Sequence, residues 1–460
     1  MTSTGHVRQT PAPTAAEWDD APILKPESAF FDIQAQTISN GIDEELKKES
    51  QRRRDASRKE VKVMLLGQAE SDNSAPGKST LQKQFQLYYA STSLEHERPS
   101  WKPIVHFNTI KAIRLILEEL DYDISRPIID GSDSMPLSDP QRAQEEISHL
   151  RSQLLPLVAM EDALASELSG GISVGGGRAG VFVRAGWQAL VTTGRNWPLS
   201  DMRTASKTQV AANMAAKMLH DLRSEITALW NHPAVGRLLD LRHLKLDEAG
   251  SFFLDSLMRI TEPDYMPIMD DILNVRVQTL GVIEHCFPIN IGGTMYDWKL
   301  YDVGGARGQR HAWAPYFEDA TAIIFLAPIS AFDQYLEEDA RTNRIDDSLK
   351  LFTAICSNKL LRNTHLVLLL NKTDLLRKKL EAGSQVQKYI VSYGNRPNRY
   401  EDVSEYFRAH FIQVHRRKDI ANRHLYCHFT SMLDIAATQR IIVNVGEAII
   451  RQHISKIGLM

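Results

Sequence analysis

The chain has 460 residues, of which 43% are hydrophobic and 24% charged, with a formal net charge of -3. This composition excludes a disordered or fibrous chain and leaves enough material for two or three hydrophobic cores. Charges this nearly balanced create no global field to recruit nucleic acid or an acidic membrane, so such contacts have to be local and charge names no partner.

In chain order, residues 1–29 mix Thr, Pro, Ala and Gly without periodicity and read as a disordered tail. Residues 30–60 turn polar and helix-prone, and GIDEELKKESQRRRDASRKE spaces acids and bases for i,i+4 pairing along an exposed N-terminal helix. KVMLLG (62–67) predicts a short buried strand, followed by a loop and the helix GKSTLQKQFQLYY. Between 89 and 270 the pattern is largely helical, with amphipathic pieces such as ISHLRSQLLPLVAMEDALASEL and AANMAAKMLHDLRSEITALW. Inside it, SGGISVGGGRAG places Gly175, Gly177 and Gly180 at G-x-G-x-x-G spacing, but a helical stretch precedes it where a dinucleotide site needs a strand, so a loop is expected.

Further strands are predicted at VIEHCFPI, WKLYDV, AIIFLAPI, HLVLLLN and HLYCHF, mostly separated by helical patterns such as RIDDSLKLFTAIC. Near-continuous apolar runs belong to strands covered on both faces, so this part of the chain reads as an α/β sheet wrapped by helices. None of these runs approaches the roughly 20 residues of a spanning helix, and no signal-peptide core opens the chain, so a soluble or peripherally attached protein is expected. Cys286, Cys356 and Cys427 lie far apart and fit neither a disulfide framework nor a C-x-x-C metal pair, which suits a reducing compartment.

Three motifs carry chemistry. A phosphate cradle needs glycine for backbone N–H groups to converge on oxygen, a lysine for the β and γ phosphates and a hydroxyl for Mg²⁺. Gly77, Lys78, Ser79 and Thr80 supply its second half, between a strand and a helix. NKTD (371–374) follows the apolar strand HLVLLL, and its Asp374 carboxylate can accept from the N1 and N2 donors of guanine, an edge adenine lacks. DVGG (302–305) ends WKLYDV, where Asp302 can hold a metal-bound water and Gly305 leaves its N–H open to a γ-phosphate. Each alone could be an ordinary turn; in this order they point to a guanine-nucleotide site, and an ATP-using P-loop enzyme conflicts with NKTD.

With these motifs the chain resembles the alpha subunits of heterotrimeric G proteins over roughly 35–110 and 220–460. DILNVRVQTLG looks like the family's switch I and DVGGARGQRHAW like its switch II, while PDYMPIMDDIL, NRIDDSLKLF and HFTSMLD match in order and spacing. The resemblance implies a P-loop GTPase (Ras-like) α/β domain with a mostly parallel sheet, built from 61–88 and 271–460, plus an inserted all-α helical domain at 89–270. It implies GTP and GDP as ligands, held by Glu70, Ser71, Gly77, Lys78, Ser79, Thr80, Leu273, Arg276, Thr279, Asp302, Gly304, Gly305, Asn371, Lys372, Asp374 and Met432. It further implies Mg²⁺ on Ser79 and Thr279, and Arg276 as a built-in catalytic arginine.

The chain departs from the family pattern at four places. Asp72 to Pro76 lengthen the phosphate loop, and Pro76 has no N–H to donate. Ala306 stands where the family has a water-orienting glutamine, so slow hydrolysis is expected; Gln309 is a conceivable substitute. Met1-Thr2-Ser3 offers neither a myristoylation glycine nor a nearby cysteine, so attachment to the cytoplasmic face of the plasma membrane would run through partners. ISKIGLM carries Ile457 where many members have cysteine. The implied partners are a beta-gamma dimer, docked through Ile42, Leu46 and Trp313, a seven-helix membrane receptor and an unidentified effector, with no nucleic acid. The alternative is a catalytically impaired pseudo-GTPase acting as a scaffold. Extra residues near 134–225 match nothing in the family pattern.

Overall fold

The structure, a computed structural model, describes residues 44–51, 59–68, 77–125, 140–169, 182–183, 199–240, 246, 248–279, 281–291, 293–305, 307–336 and 339–457. The predicted tail, Ile42, Glu70, Ser71, the 72–76 insertion, the Gly-rich loop beyond Ser169, and Ala306 lie outside them. The chain divides into two units, 1–59 and 60–460. In the first, residues 44–51 form an exposed helix on which Lys48 and Glu44 make an i,i+4 pair at 3.9 Å. Both side chains are exposed, so the pair contributes a few tenths of a kcal/mol, about 0.3–0.5.

The second unit is built on a six-stranded sheet. Its strands are β1 (Glu60–Gly67), β4 (Val282–Ile291), β5 (Thr294–Val303), β6 (Ala322–Pro328), β7 (His365–Asn371) and β8 (Leu425–Thr430), in the order β4-β5-β1-β6-β7-β8. Only the β4–β5 hairpin is antiparallel; the other four pairings are parallel. Every residue of β6 is buried, as a central strand covered on both faces must be.

Side-chain alternation along β1 sorts its residues between two cores. Met64 and Leu66 join Phe325, Phe352 and Phe411 on one face. Val63 and Leu65 join Leu81, Phe85, Trp298 and Ile449 on the other. Helices Arg344–Ser357 and Tyr400–Lys418 supply the first face, and Lys78–Tyr89 and Ile435–Ile457 the second.

A third core is helical. Ile104, Ile113, Leu154, Leu164, Leu219, Ile226 and Phe253 bury together, drawn from helices Ser91–Ser125, Pro140–Val158, Met160–Leu168, Leu199–Asp221, Arg223–Trp230 and Glu248–Asp255. Arg114 and Glu161 bridge two of these helices through contacts at 2.6 and 3.2 Å. The periodic apolar faces read from sequence are the ones that pack.

One element escaped the sequence reading. Phe182–Val183 (β2) pairs in parallel with Gln278–Thr279 (β3), which belongs to the stretch that resembles switch I. Two residues carry too little periodicity to be read as a strand.

All three cysteines are free. Burial pushes the Cys356 thiol up to about 12. Among the described residues, no helix is long and apolar enough to cross a membrane.

Candidate functional site

The carboxyl ends of β5, β1, β7 and β8 emerge along one edge of the sheet, since the register sets Leu65 opposite Asp302 and Asn371 opposite Thr430. The crevice beyond such ends is where open α/β sheets bind ligands. Helix Lys78–Tyr89 begins there, with Gly77 as its N-cap at φ 85. A Cβ on Gly77 would lie 2.5 Å from Asn371 Nδ2 and 3.1 Å from Met432 Cγ. Glycine is what allows GKST, NKTD and HFTSMLD to meet.

Beside that meeting point lies an open cleft, and concave sites of this kind are where small-molecule ligands bind. Gly77, Ser79, Thr80, Leu273, Arg276, Asn371, Lys372, Asp374 and Met432 line it, together with Ala249, Asn274, Val275, Val277, Ser431 and Leu433. Its floor is braced by hydrogen bonds. Thr430 Oγ1 donates to Asn371 Oδ1 at 3.1 Å, Thr373 Oγ1 to the Thr430 carbonyl at 3.2 Å, and Gln84 Nε2 to the Met432 carbonyl at 3.0 Å. Lys372 takes a left-handed conformation, φ 64, at the start of helix Thr373–Glu381.

At the inner end of helix Lys78–Tyr89, Ser79 Oγ and Thr279 Oγ1 each donate to Asp302 Oδ2 at 2.8 Å and stand 3.3 Å from one another. All three residues are buried, and Asp302 Oδ1 meets no hydrogen-bond partner among the described residues. Two hydroxyls and a carboxylate with spare lone pairs form an oxygen donor set of the type that hard divalent cations and their water shells take. The set therefore fits Mg²⁺. Lys78 Nζ donates to the Gln68 carbonyl at 2.5 Å.

The arginine segment is held from two sides. Lys83 Nζ, buried, donates to the carbonyls of Ile272 at 2.7 Å and Val275 at 3.0 Å and lies over the Trp101 ring. Asn108, from the helical core, bonds both backbone groups of Arg276. Upstream, Asp271 accepts both Arg259 nitrogens at 2.7 Å and the Tyr265 hydroxyl at 2.8 Å.

After β5 the chain forms a 3-10 helix, Arg307–Tyr316. Trp313 Nε1 donates to the Gly304 carbonyl at 2.9 Å and Arg310 Nε to the Gly305 carbonyl at 3.3 Å. Asp347 gathers Arg307 at 3.0 Å, Arg310 at 2.8 Å and Gln68 at 2.8 Å. Burial opposes the charge on Asp347, but hydrogen bonds from Arg310, Gln68 and Arg307 outweigh it and hold the carboxyl below its ordinary range. Trp313, read from sequence as a docking contact, is buried at 3% exposure, whereas Leu46 is exposed.

Of the residues named from sequence, the structure thus brings nine to the cleft. Lys78, Thr279, Asp302, Gly304 and Gly305 cluster at the ends of β5 and helix Lys78–Tyr89. Sequence reasoning missed Gln68, Lys83, Gln84, Asn108 and Asp347, whose partners lie far away in the chain and leave no short-range signal.

Comparison with known proteins gives these features a family. Residues 36–449 match the model described as the G-protein alpha subunit. The chain belongs to the G-protein alpha subunit family. It is similar to the guanine nucleotide-binding protein alpha-4 subunit of Mycosarcoma maydis, 33% identical over 87% of this chain and 83% of that one. It is also 29% identical to the alpha-1 subunit of the same organism, over 93% of this chain and 98% of that one. A guanine nucleotide-binding protein subunit alpha of Cochliobolus heterostrophus is 29% identical over 91% and 96%. As a G-protein alpha subunit the chain falls among guanine-nucleotide-binding signal transducers, which are in general GTPases, and its sheet with a helical body agrees with that fold.

Proposed function

We propose that the protein is a receptor-coupled switch that holds GTP for long periods before cleaving it slowly. The observation that carries this reading is the convergence of Gly77, Asn371 and Met432 on one cleft beside the Ser79–Thr279–Asp302 cluster. Residues 61–88 and 271–460 act as the GTPase domain and 89–270 as the helical domain. Asp374 reads the guanine N1 and N2 donors, with Asn371, Lys372 and the Met432 backbone bordering the base. Lys78 and the first N–H groups of its helix take the phosphates, with Glu70, Ser71 and Thr80 completing that loop and Leu273 beside the sugar.

Ser79 and Thr279 would hold Mg²⁺, with Asp302 on its water shell. When bound, the ion supplies charge neutralisation on the β and γ phosphates. Arg276 is placed to offset charge that develops on the transferring phosphoryl group. Gly304 and Gly305 offer backbone to the γ-phosphate, which orders the two switch segments and thereby controls partner contacts. A methyl group at Ala306 can neither orient water nor donate a hydrogen bond, so cleavage is slow. The beta-gamma dimer, the receptor and the effector are the partners, and they hold the protein at the cytoplasmic face of the plasma membrane.

Titration of the purified protein with a fluorescent GTP analogue, with and without Mg²⁺, tests the reading. The expected result is saturable, Mg²⁺-dependent binding at about 1 μM or below, competed by GDP and not by ATP. Absence of binding at far higher concentrations would overturn this reading and favour a scaffold that keeps the fold without the ligand.

A further inference from the structure

We propose that Gln309 supplies a carboxamide that orients the attacking water, a partial substitute for the side chain Ala306 lacks, so that cleavage is slow and not absent. This rests on the reading of the cleft as a GTP site.

The Gln309 amide is packed onto the end of β5. A Cβ built on Gly304 would meet Gln309 Oε1 at 1.8 Å, its Cδ at 2.9 Å and the Thr279 carbonyl oxygen at 2.9 Å. The carboxamide therefore lies against the Gly304 backbone, in the nook between Gly304 and Thr279. Asp302, two residues before Gly304, holds the hydroxyls of Thr279 and Ser79. The amide thus lies at the end of the strand that carries Asp302, and glycine at 304 leaves room for it.

Its position is fixed from both sides. Trp313 is hydrogen-bonded to the Gly304 carbonyl and Arg310 to the Gly305 carbonyl. Arg307 and Arg310 are both tied to Asp347. With the residues flanking Gln309 stapled to the strand end and to helix Arg344–Ser357, its side chain turns inward. Gln309 is half-buried, while its neighbours Arg307 and Gly308 are exposed.

The chemistry follows from the group. Oε1 accepts a hydrogen bond from the attacking water, and Nε2 donates one to a γ-phosphoryl oxygen. The water oxygen bonds to Pγ and the bridging Pγ–O bond breaks. Its electron pair stays with the β-phosphate of GDP, and the water proton leaves on inorganic phosphate. Gln309 is never protonated; it aligns the water and stabilises charge as it develops.

The test is single-turnover cleavage of preloaded GTP by wild type, Gln309→Ala, Gln309→Asn and the double variant Ala306→Gln/Gln309→Ala, with affinity for a fluorescent GTP analogue and thermal melting measured for each. Gln309→Ala is expected to lower the cleavage rate about tenfold with affinity and melting unchanged. Gln309→Asn, one methylene short, is also expected to be slow, while the double variant recovers. An unchanged rate in Gln309→Ala overturns the proposal, and tighter nucleotide binding with that unchanged rate would make the amide a plug in the phosphate site. A wild type that binds GTP and never cleaves it overturns this inference alone, whereas one that binds no nucleotide overturns the GTP-site reading with it.

Discussion

The carboxamide of Asn108 closes on both backbone groups of Arg276: Oδ1 accepts its N–H at 3.0 Å and Nδ2 donates to its carbonyl at 3.2 Å. The two residues are 168 positions apart, one on helix Ser91–Ser125 and the other in the segment between the helical core and the sheet. Nδ2 also donates to the Ile104 carbonyl at 2.9 Å, so the amide is oriented before it meets Arg276. The helical body thereby sets the backbone from which the arginine reaches the cleft.

Replacing Asn108 with alanine is expected to slow single-turnover GTP cleavage about tenfold, because an unclamped arginine spends less time in its productive position. The effect should disappear in an Arg276→Ala background. If Asn108→Ala slows the double variant just as much, the clamp acts on general stability and not through the arginine.

Restoring a glutamine at position 306 should raise the rate of cleavage by at least about tenfold. Equal and fast cleavage by wild type and Ala306→Gln would contradict the long-lived GTP state.

Gly77→Ala should weaken nucleotide binding sharply. The position needs φ 85 and has Asn371 Nδ2 only 2.5 Å from where the methyl would sit, and left-handed strain alone costs about 1–3 kcal/mol. Titration with the fluorescent analogue reads the loss; an unaltered affinity would mean that the floor of the cleft yields without consequence.

Acid should loosen the 3-10 segment through Asp347. Its folded-state pKa is depressed below the ordinary 3.8, so its stabilising contribution is fully present above that value and disappears as pH falls through the lower, folded value. The melting-temperature gap between wild type and Asp347→Asn is therefore expected to stay constant from neutral pH down to about 4 and to narrow below it. A gap that narrows already near neutrality would point to a different titrating group.

The β2–β3 pairing predicts that Val183→Pro, which removes a backbone donor and disfavours the strand, accelerates amide hydrogen exchange at Gln278 and Thr279. Unchanged protection there would show that Phe182–Val183 does not hold that segment.

The sheet was legible because its strands are local signals: AIIFLAP and HLVLLLN are apolar runs that only a strand covered on both faces accommodates, and both are buried as such. The motifs GKST, DVGG and NKTD were legible for a related reason. Each sits at the end of a strand, so a linear reading places all three at the same edge once the strands are parallel. Sequence could name Gly77, Asp302 and Asn371 without knowing that a missing Cβ brings two of them together.

What only the tertiary structure decided is how distant side chains aim. Gln68 and Asp347 are 279 positions apart, and Asn108 and Arg276 are 168; such pairs leave no periodicity, since each depends on how whole elements pack. The same holds for Gln309. Its place in the sequence makes it a conceivable substitute for the residue lost at Ala306, but whether its amide faces solvent or Gly304 is set by the bonds that Trp313, Arg310 and Asp347 make around it. By itself the sequence determined the family, the succession of strands along the chain and the motifs that end them, because those are properties of short segments. Their mutual orientation is a property of the packed molecule.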